Sequence, residues 1–303
     1  MQLRPDQGSG LFIAYNSDEA GFLDQVLGDF NDHYDPLPPA SSRALAPGAA
    51  EALSRFTGTY RLSDYARTTL SKVLLLASED LPQVVPSGNS VGIRWLADGP
   101  DQPEPLVQLE PLVFASQDGR FRFTFLQDRN ESITGMVWGH LFVLEKVPWY
   151  KTVAFQRGVF AMFLIGFATA ALVWPLSALI PRLFKRNRVH LVDRADARVG
   201  TLAAAGVAIN AALNATFLLA LLIILPRAFD LGLQFGMPPL LGALFSVPIL
   251  TTGLALALAT LTFPMVRTHA WRLRACLAYC LYTIFALAFA PFLLYWNLLG
   301  LRW

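Results

Sequence analysis

Residues 158–180 read GVFAMFLIGFATAALVWPLSALI, and no side chain in this stretch carries a charge. A helix of about 20 apolar residues is long enough to cross the hydrocarbon core of a bilayer. The stretch therefore predicts a transmembrane helix. Similar stretches follow at about 199–225, 239–264 and 275–299, and they too have no Lys, Arg, Asp, Glu or His in their interior. The sequence thus predicts four transmembrane helices.

The composition of the chain changes sharply just before the first of these helices. Residues 1–150 contain the Pro, Asp, Gly and scattered charges of a water-soluble protein, whereas residues 151–303 are dominated by Leu, Ala, Phe and Ile. We therefore predict one aqueous unit and one membrane-embedded unit. The net charge is only +2, which gives no indication of nucleic-acid binding. The lipid bilayer is the predicted partner.

The loops between the predicted helices indicate how the chain is oriented. Loops 181–198 and 265–274 are basic, whereas the loop between the second and third helices holds one Arg and one Asp. The basic residues are Arg182, Lys185, Arg186, Arg188, Arg194 and Arg198 in the first loop and Arg267, Arg272 and Arg274 in the second. Because cytoplasmic loops are enriched in Lys and Arg, we predict that both loops are cytoplasmic.

Residues 1–150 and the C-terminus are then extracytoplasmic, in a multi-pass protein of the plasma (inner) membrane. Trp149 and Tyr150 suit an aromatic belt at the outer interface, as do Tyr295, Trp296 and Trp303. A soluble N-terminal unit on that side requires an export signal, and the opening residues do not have the pattern of one. We therefore expect the chain to be a fragment whose signal lies upstream.

A few polar residues lie inside the predicted helices. Asn210 and Asn214 share one face of the second helix and predict hydrogen bonding between helices, although a polar path through the bundle with Thr251 and Thr252 is an alternative. The absence of charge argues against a proton- or ion-coupled pump. Cys276 and Cys280 are one turn apart and are read as packing residues.

The aqueous unit is divided by a linker. Residues 1–35 predict a strand from Leu11 to Tyr15 and an amphipathic helix that begins near Asp18 or Glu19. Residues 36–50 are rich in Pro and small residues, as linkers are. Residues 51–148 contain several alternating segments separated by turn signals, which predict a small antiparallel barrel or a strongly curved sheet. The segment ARTTLSKVLLLAS, at 66–78, fits either a short helix or a strand.

The large aromatic side chains of the β-rich region are read as core. They are Phe114, Phe121, Phe123, Phe125 and Trp138. Small barrels can instead hold a ligand, so a binding role stays open. The polar residues Glu110, Asp128, Glu131 and His140 do not have the spacing of a metal site or an acid–base pair. No cofactor or metal is predicted.

Four stretches carry a resemblance to a known family: MQLRPDQGSGLFIAYNSDEAG at 1–21, FLDQVLGDFNDHYDP at 22–36, FTGTYRLSDYARTTLSKV at 56–73 and VLEKVPWYKT at 143–152. They resemble the C-terminal part of membrane-anchored proteins of the serine β-lactamase and penicillin-binding-protein-like family. In that family a catalytic domain precedes a lipocalin-like β domain and, in some members, several membrane helices. The resemblance implies an α+β chain in which residues 1–35 are the end of a catalytic domain, residues 51–148 a lipocalin-like barrel and residues 149–303 a membrane anchor.

The catalytic motifs of that family do not carry over to this chain. The family's nucleophile lies in Ser-x-x-Lys, but Lys72, Lys146, Lys151 and Lys185 are preceded three residues earlier by Thr69, Val143, Pro148 and Arg182. Ser87-Gly88-Asn89 and Tyr295-Trp296-Asn297 fit the second motif by letter only, and Lys151-Thr152 is followed by Val153 instead of Gly. No catalytic, cofactor-binding or metal-binding residue is therefore assigned.

Two functions remain open at this level. The chain is predicted to be the accessory β domain and multi-pass anchor of a serine hydrolase, and to be inactive by itself. A separate catalytic domain is then its partner. The alternative is a non-enzymatic membrane protein whose extracytoplasmic β domain binds a ligand or a partner. A transporter with a β cap is a third possibility, which requires the polar path.

Overall fold

A computed structural model describes residues 2–4, 8–14, 16, 22–34, 53–78, 82–94, 103–117, 119, 121–139, 142–183, 194–227, 239–267 and 273–300. These residues form a closed antiparallel β-barrel followed by four long apolar helices. The predicted α+β class, with a barrel before a helical bundle, is confirmed. The predicted linker at 36–50 lies outside the described residues.

A two-stranded sheet and one helix precede the barrel. Strands β1 (Gln2–Arg4) and β2 (Ser9–Leu11) pair antiparallel, and helix α1 runs over Phe22–Tyr34. The predicted strand at 11–15 was placed too late, because the extended segment ends at Leu11, where its pairing with Gln2 ends. The strand belongs to a sheet of its own and not to the barrel.

The barrel is an up-and-down meander of eight strands. They are β3 (Gly58–Leu62), β4 (Gln83–Ser87), β5 (Ser90–Arg94), β6 (Glu104–Glu110), β7 (Val113–Ser116), β8 (Arg122–Gln127), β9 (Ile133–Trp138) and β10 (Phe142–Val147). Each pairs antiparallel with the next, and β10 pairs with β3. Closure leaves no strand edge unpaired, which removes the main route by which sheets associate with other chains.

The barrel interior is filled by its own aromatic side chains. Phe56 packs at ring distances of 5.1 Å from Phe114 and 4.7 Å from Phe125, and Phe114 and Phe125 are 5.3 Å apart. Phe114, Phe123 and Phe125 are buried, as predicted, whereas Phe121 and Trp138 pack at the edge of the core. Such contacts make this barrel a packed core and not a ligand container.

The four helices are α2 (Val153–Leu183), α3 (Arg194–Ile224), α4 (Pro239–Arg267) and α5 (Leu273–Tyr295). By length and composition each is able to cross a membrane, over Val153–Ser177, Val199–Arg227, Gly242–Phe263 and Leu273–Tyr295. The predicted first span began five residues late, at 158 instead of Val153, because the sequence window stopped at Arg157, whereas the helix includes it.

Aromatic side chains join the first and last of these helices. Phe163 and Phe167 of α2 lie 4.8 and 5.1 Å from the ring of Phe289, and 5.1 Å each from the ring of Phe285, both on α5. Gly166 makes this approach possible, since a Cβ there would stand 2.3 Å from the Phe285 ring. Small residues of this kind let membrane helices approach closely.

A buried polar network joins the other helices. The Nδ2 of Asn210 on α3 donates to the carbonyl of Thr251 on α4 at 2.7 Å, and the Tyr282 hydroxyl on α5 donates to Asn210 Oδ1 at 2.7 Å. Asn214 Nδ2 also donates to Asn210 Oδ1, at 3.1 Å. These bonds confirm the predicted role of Asn210 in joining helices, whereas the bond of Asn214 stays within its own helix and supports Asn210.

Replacing Asn210 with Ala should destabilise the bundle by about 1–2 kcal/mol. The substitution removes two hydrogen bonds between helices and one within α3. Reversible unfolding of the purified protein in mixed micelles measures the loss. The control is Leu256→Ala, since Leu256 is 57% exposed on the lipid-facing side of α4. Equal stability of Asn210→Ala and the wild type would contradict the assignment.

Candidate functional site at the barrel–bundle junction

The residues weighed as catalytic from the sequence are dispersed in the structure. Ser87, Gly88 and Asn89 form the turn between β4 and β5. Tyr295, Trp296 and Asn297 lie at the end of α5, and Lys151 and Thr152 precede α2. Within the described residues, no group of three His, Cys, Asp or Glu side chains is placed to hold a metal ion. The polar residues that do meet lie where the barrel contacts the helices.

The contact is made by a short helix in the connection between β3 and β4. Residues Leu70–Leu76, here called the docking segment, form a 3₁₀ helix. Its buried residues are Leu70, Val73 and Leu76, which share one apolar cluster with side chains of the membrane helices. A 3₁₀ helix has about three residues per turn, so residues spaced by three lie on one face. This face is inserted into the end of the bundle.

Polar side chains of the bundle hold both ends of the docking segment. Asn297 Nδ2 donates to the carbonyls of Arg67 and Thr69, each at 3.0 Å. Arg157 Nε on α2 donates to the carbonyl of Leu76 at 2.9 Å, and its Nη2 donates to that of Ser78. The Thr69 carbonyl also accepts from the Lys72 backbone N–H, whereas Leu76 lies at the C-terminus of the segment, where a helix leaves carbonyls without a partner of its own. Asn297, which matched a catalytic motif by letter, thus has a structural role.

The end of α5 is tied to the start of α2 by a second set of bonds. Trp296 Nε1 donates to Gln156 Oε1 at 3.2 Å, and Gln156 Nε2 donates to the carbonyl of Tyr150 at 2.7 Å. Trp296 is only 1% exposed, so at this helix end it packs inside the protein. Its indole N–H donates to Gln156, since a buried indole N–H usually requires a hydrogen-bond acceptor. Trp149, by contrast, is 71% exposed.

A charged cluster lies on the barrel beside the docking segment. Glu145 on β10 accepts hydrogen bonds from Arg61 at 2.9 Å, from the Tyr65 hydroxyl at 2.8 Å and from Arg67 at 2.9 Å. Both guanidinium groups also lie near the Tyr65 ring, 4.5 Å for Arg61 and 4.7 Å for Arg67. Arg61 and Glu145 face each other across the β3–β10 pair, which places them together by register.

The charged side chains in this region shift the pKa values of Glu145 and Lys72. Burial raises the pKa of the Glu145 carboxyl, but the hydrogen bonds from Arg61, Tyr65 and Arg67 outweigh it, so the pKa lies below its usual value. The pKa of the Lys72 ammonium is also lowered, which in this case disfavours the charged form. Burial lowers the pKa of its ammonium, and the positive charges of Arg61, Lys151 and Arg67 lower it further. The junction is thus locally positive.

The ammonium of Lys72 joins the docking segment to the last turn of α5. It donates to the carbonyl of Tyr295 and lies 3.9 Å from the centre of the Tyr295 ring. A carbonyl at the C-terminus of a helix and the face of an aromatic ring both attract cations. Sequence reasoning missed this junction because none of its residues forms a recognisable motif. The three-residue spacing of Leu70, Val73 and Leu76 was the signal that could have revealed it.

In comparisons with protein-family models, with curated proteins and with solved structures, nothing matches this chain. The resemblance to the serine β-lactamase-like family therefore stays a prediction.

Replacing Val73 with Asp should release the docking segment, since it would place an unpaired charge at a site only 3% exposed. We expect trypsin to cleave after Arg67 and Lys72 at least about tenfold faster than in the wild type, because cleavage requires local opening. Mass spectrometry of timed digests in detergent gives the rate. Ser71→Asp is the control, since Ser71 is exposed in the same segment. Unchanged cleavage of the Val73 variant would show that the segment is not docked.

Glu145→Gln should remove a pH-dependent part of the stability. The folded pKa of Glu145 lies below its ordinary value of 4.5, so its stabilisation is present above that pH and is lost as the pH falls through the folded value. We expect the variant to be less stable by about 1 kcal/mol at pH 7 and to converge with the wild type in acid.

Thermal unfolding of both proteins between pH 7 and pH 3 measures this convergence. Glu110→Gln is the control, because Glu110 is an exposed carboxylate elsewhere on the barrel. A constant difference between wild type and Glu145→Gln at all pH values would refute the electrostatic role.

Proposed function

We propose that this chain is the accessory barrel and membrane anchor of a β-lactamase-like serine hydrolase, which it holds at a fixed height above the bilayer. The observation that carries the proposal is the insertion of Leu70, Val73 and Leu76 into the end of the bundle. A barrel needed only as a tethered domain would not require this contact, because one covalent connection already anchors it. A fixed orientation matters when the attached unit acts on a substrate near the membrane.

The arrangement of helix ends supports an extracytoplasmic barrel in the plasma membrane. The docking segment contacts the start of α2, the end of α5 and the turn at Leu225–Arg227 after α3. Those ends therefore lie on the barrel side, and the other helix ends, at Leu183, Arg194, Arg267 and Leu273, lie opposite. The basic residues in loops 181–198 and 265–274 of the sequence favour a cytoplasmic location for that opposite end by the positive-inside rule.

Apolar surface on the N-terminal unit supports a further protein unit beside it. Phe12 is 75% exposed just after β2, and Tyr34 is 60% exposed at the end of α1. A two-stranded sheet is marginally stable alone and gains stability when it packs against another element. A hydrolase domain whose sheet takes up β1 and β2 would cover this surface.

A second candidate is a non-enzymatic membrane protein whose barrel binds a partner. It is favoured by exposed apolar side chains on the paired strands β3 and β10, namely Leu62, Phe142 and Val143 at 45%, 43% and 44% exposure. Exposed apolar patches are common sites of protein association. The binding would use these exposed side chains and not the interior, because the barrel's own aromatic side chains fill the interior.

The test is to look for a serine hydrolase physically joined to the barrel. Membranes of the source cells are solubilised, precipitated with an antibody to residues 51–148, and reacted with a fluorophosphonate and a fluorescent penicillin. We expect a labelled serine enzyme in amounts comparable to the barrel, either in the same polypeptide or bound to it.

The purified 303-residue chain is the matched control and should stay unlabelled, because its lysines lack a Ser three residues before them. Precipitates that contain the barrel but no labelled enzyme would overturn the hydrolase proposal in favour of the second candidate.

A further inference from the structure

The positive side chains of the junction converge beside the membrane helices. The charges of Arg61, Arg67 and Lys151 act on the Lys72 ammonium, and Glu145 forms ion pairs with Arg61 and Arg67. Glu145 is already bonded to both arginines. Lys72 and Lys151 are therefore not neutralised by it. The cluster carries an excess of positive charge that an anion would offset.

The depth of this cluster is set by the ends of the membrane spans. Lys151 precedes the first residue of the span Val153–Ser177 by two positions, and the carbonyl that Lys72 contacts belongs to Tyr295, the last residue of its span. Trp149 and Tyr150 beside them are 71% and 47% exposed. Exposed Trp and Tyr at helix ends lie at the level of lipid headgroups. The cations therefore lie at the level of lipid phosphates.

The groups around Lys72 are suited to an anion that has one face in lipid. Its ammonium has three donors, of which the Tyr295 carbonyl takes one. The Tyr295 ring and, at 5.9 Å, the Trp296 ring provide an apolar wall beside the ammonium. Burial lowers the pKa of this ammonium and the like charges of Arg61, Lys151 and Arg67 lower it further, so a neighbouring phosphate would favour its charged form.

We propose that Lys72 and Lys151, with Arg67, form a binding site for the phosphate of an anionic phospholipid on the barrel side of the bilayer. The lipid would occupy the corner between the barrel wall and the bundle, with its headgroup against the cluster and its acyl chains along α2 and α5. The bound headgroup would add to the contacts that fix the orientation of the barrel relative to the helical bundle. This inference is independent of the hydrolase proposal, since it requires only that the helices span a membrane.

Native mass spectrometry of the full chain in detergent tests the site. The protein is titrated with phosphatidylglycerol or with phosphatidylcholine of the same acyl chains, and the dissociation constant of the first bound lipid is measured. We expect phosphatidylglycerol to bind at least about fivefold more tightly. Lys72→Gln and Lys151→Gln should each weaken phosphatidylglycerol binding about fivefold and leave phosphatidylcholine binding unchanged.

Arg227→Gln is the matched control, because Arg227 lies at the same end of the bundle but is not among the charges that act on Lys72. Lys151→Gln keeps the test valid if Lys72→Gln does not fold, since among the described residues no hydrogen bond or ion pair of the docking segment uses the Lys151 ammonium. The proposal fails if both lipids bind equally or if the control loses as much affinity as the two lysine variants. It also fails if millimolar inorganic phosphate displaces the lipid, because the site would then recognise a free anion.

Discussion

The insertion of the apolar face of Leu70–Leu76 into the end of the helical bundle is the contact on which the arrangement of the two units depends. A single covalent connection, through the turn at Trp149–Lys151, would by itself let the barrel tilt and rotate. The docking segment, in the connection after β3, adds a second attachment point. Its apolar face supplies the free energy, and Asn297 and Arg157 fix the direction of the segment by bonding to its carbonyls. The charged groups at the junction then acquire fixed neighbours.

Most of the architecture follows from periodicity and length in the sequence. Apolar stretches of about 20 residues predict the four helices because each must satisfy its own backbone in lipid. The alternation of Phe121, Phe123 and Phe125 predicts the β-rich domain but not whether its sheet closes. Closure depends on the pairing of β10 with β3, which are far apart in sequence. The strands at the start of the chain were harder to predict, because β1 is only three residues long and its sequence has no detectable periodicity.

The junction could not be predicted from the same signals. The segment at 66–78 fitted a helix or a strand, and the structure shows a 3₁₀ helix, whose period of about three lies between those two templates. Trp296 was assigned to an aromatic belt at the outer interface because tryptophans at helix ends commonly lie there. Its burial depends on Gln156, a partner on another helix that a local pattern does not identify. Asn210 was the easier case, since a polar residue in a membrane helix nearly always seeks a partner in the bundle.

The account predicts that the barrel and the bundle move as one body, and a spin-label distance tests this most directly. Labels are placed at Asn89→Cys on the barrel and Leu222→Cys on α3, with Cys276 and Cys280 replaced by Ala, and the protein is measured in lipid nanodiscs by pulsed electron resonance. The account predicts one narrow distance distribution, which broadens when Val73→Asp is added. A broad distribution in the protein with Val73 intact would show that the barrel is only tethered and would contradict the account.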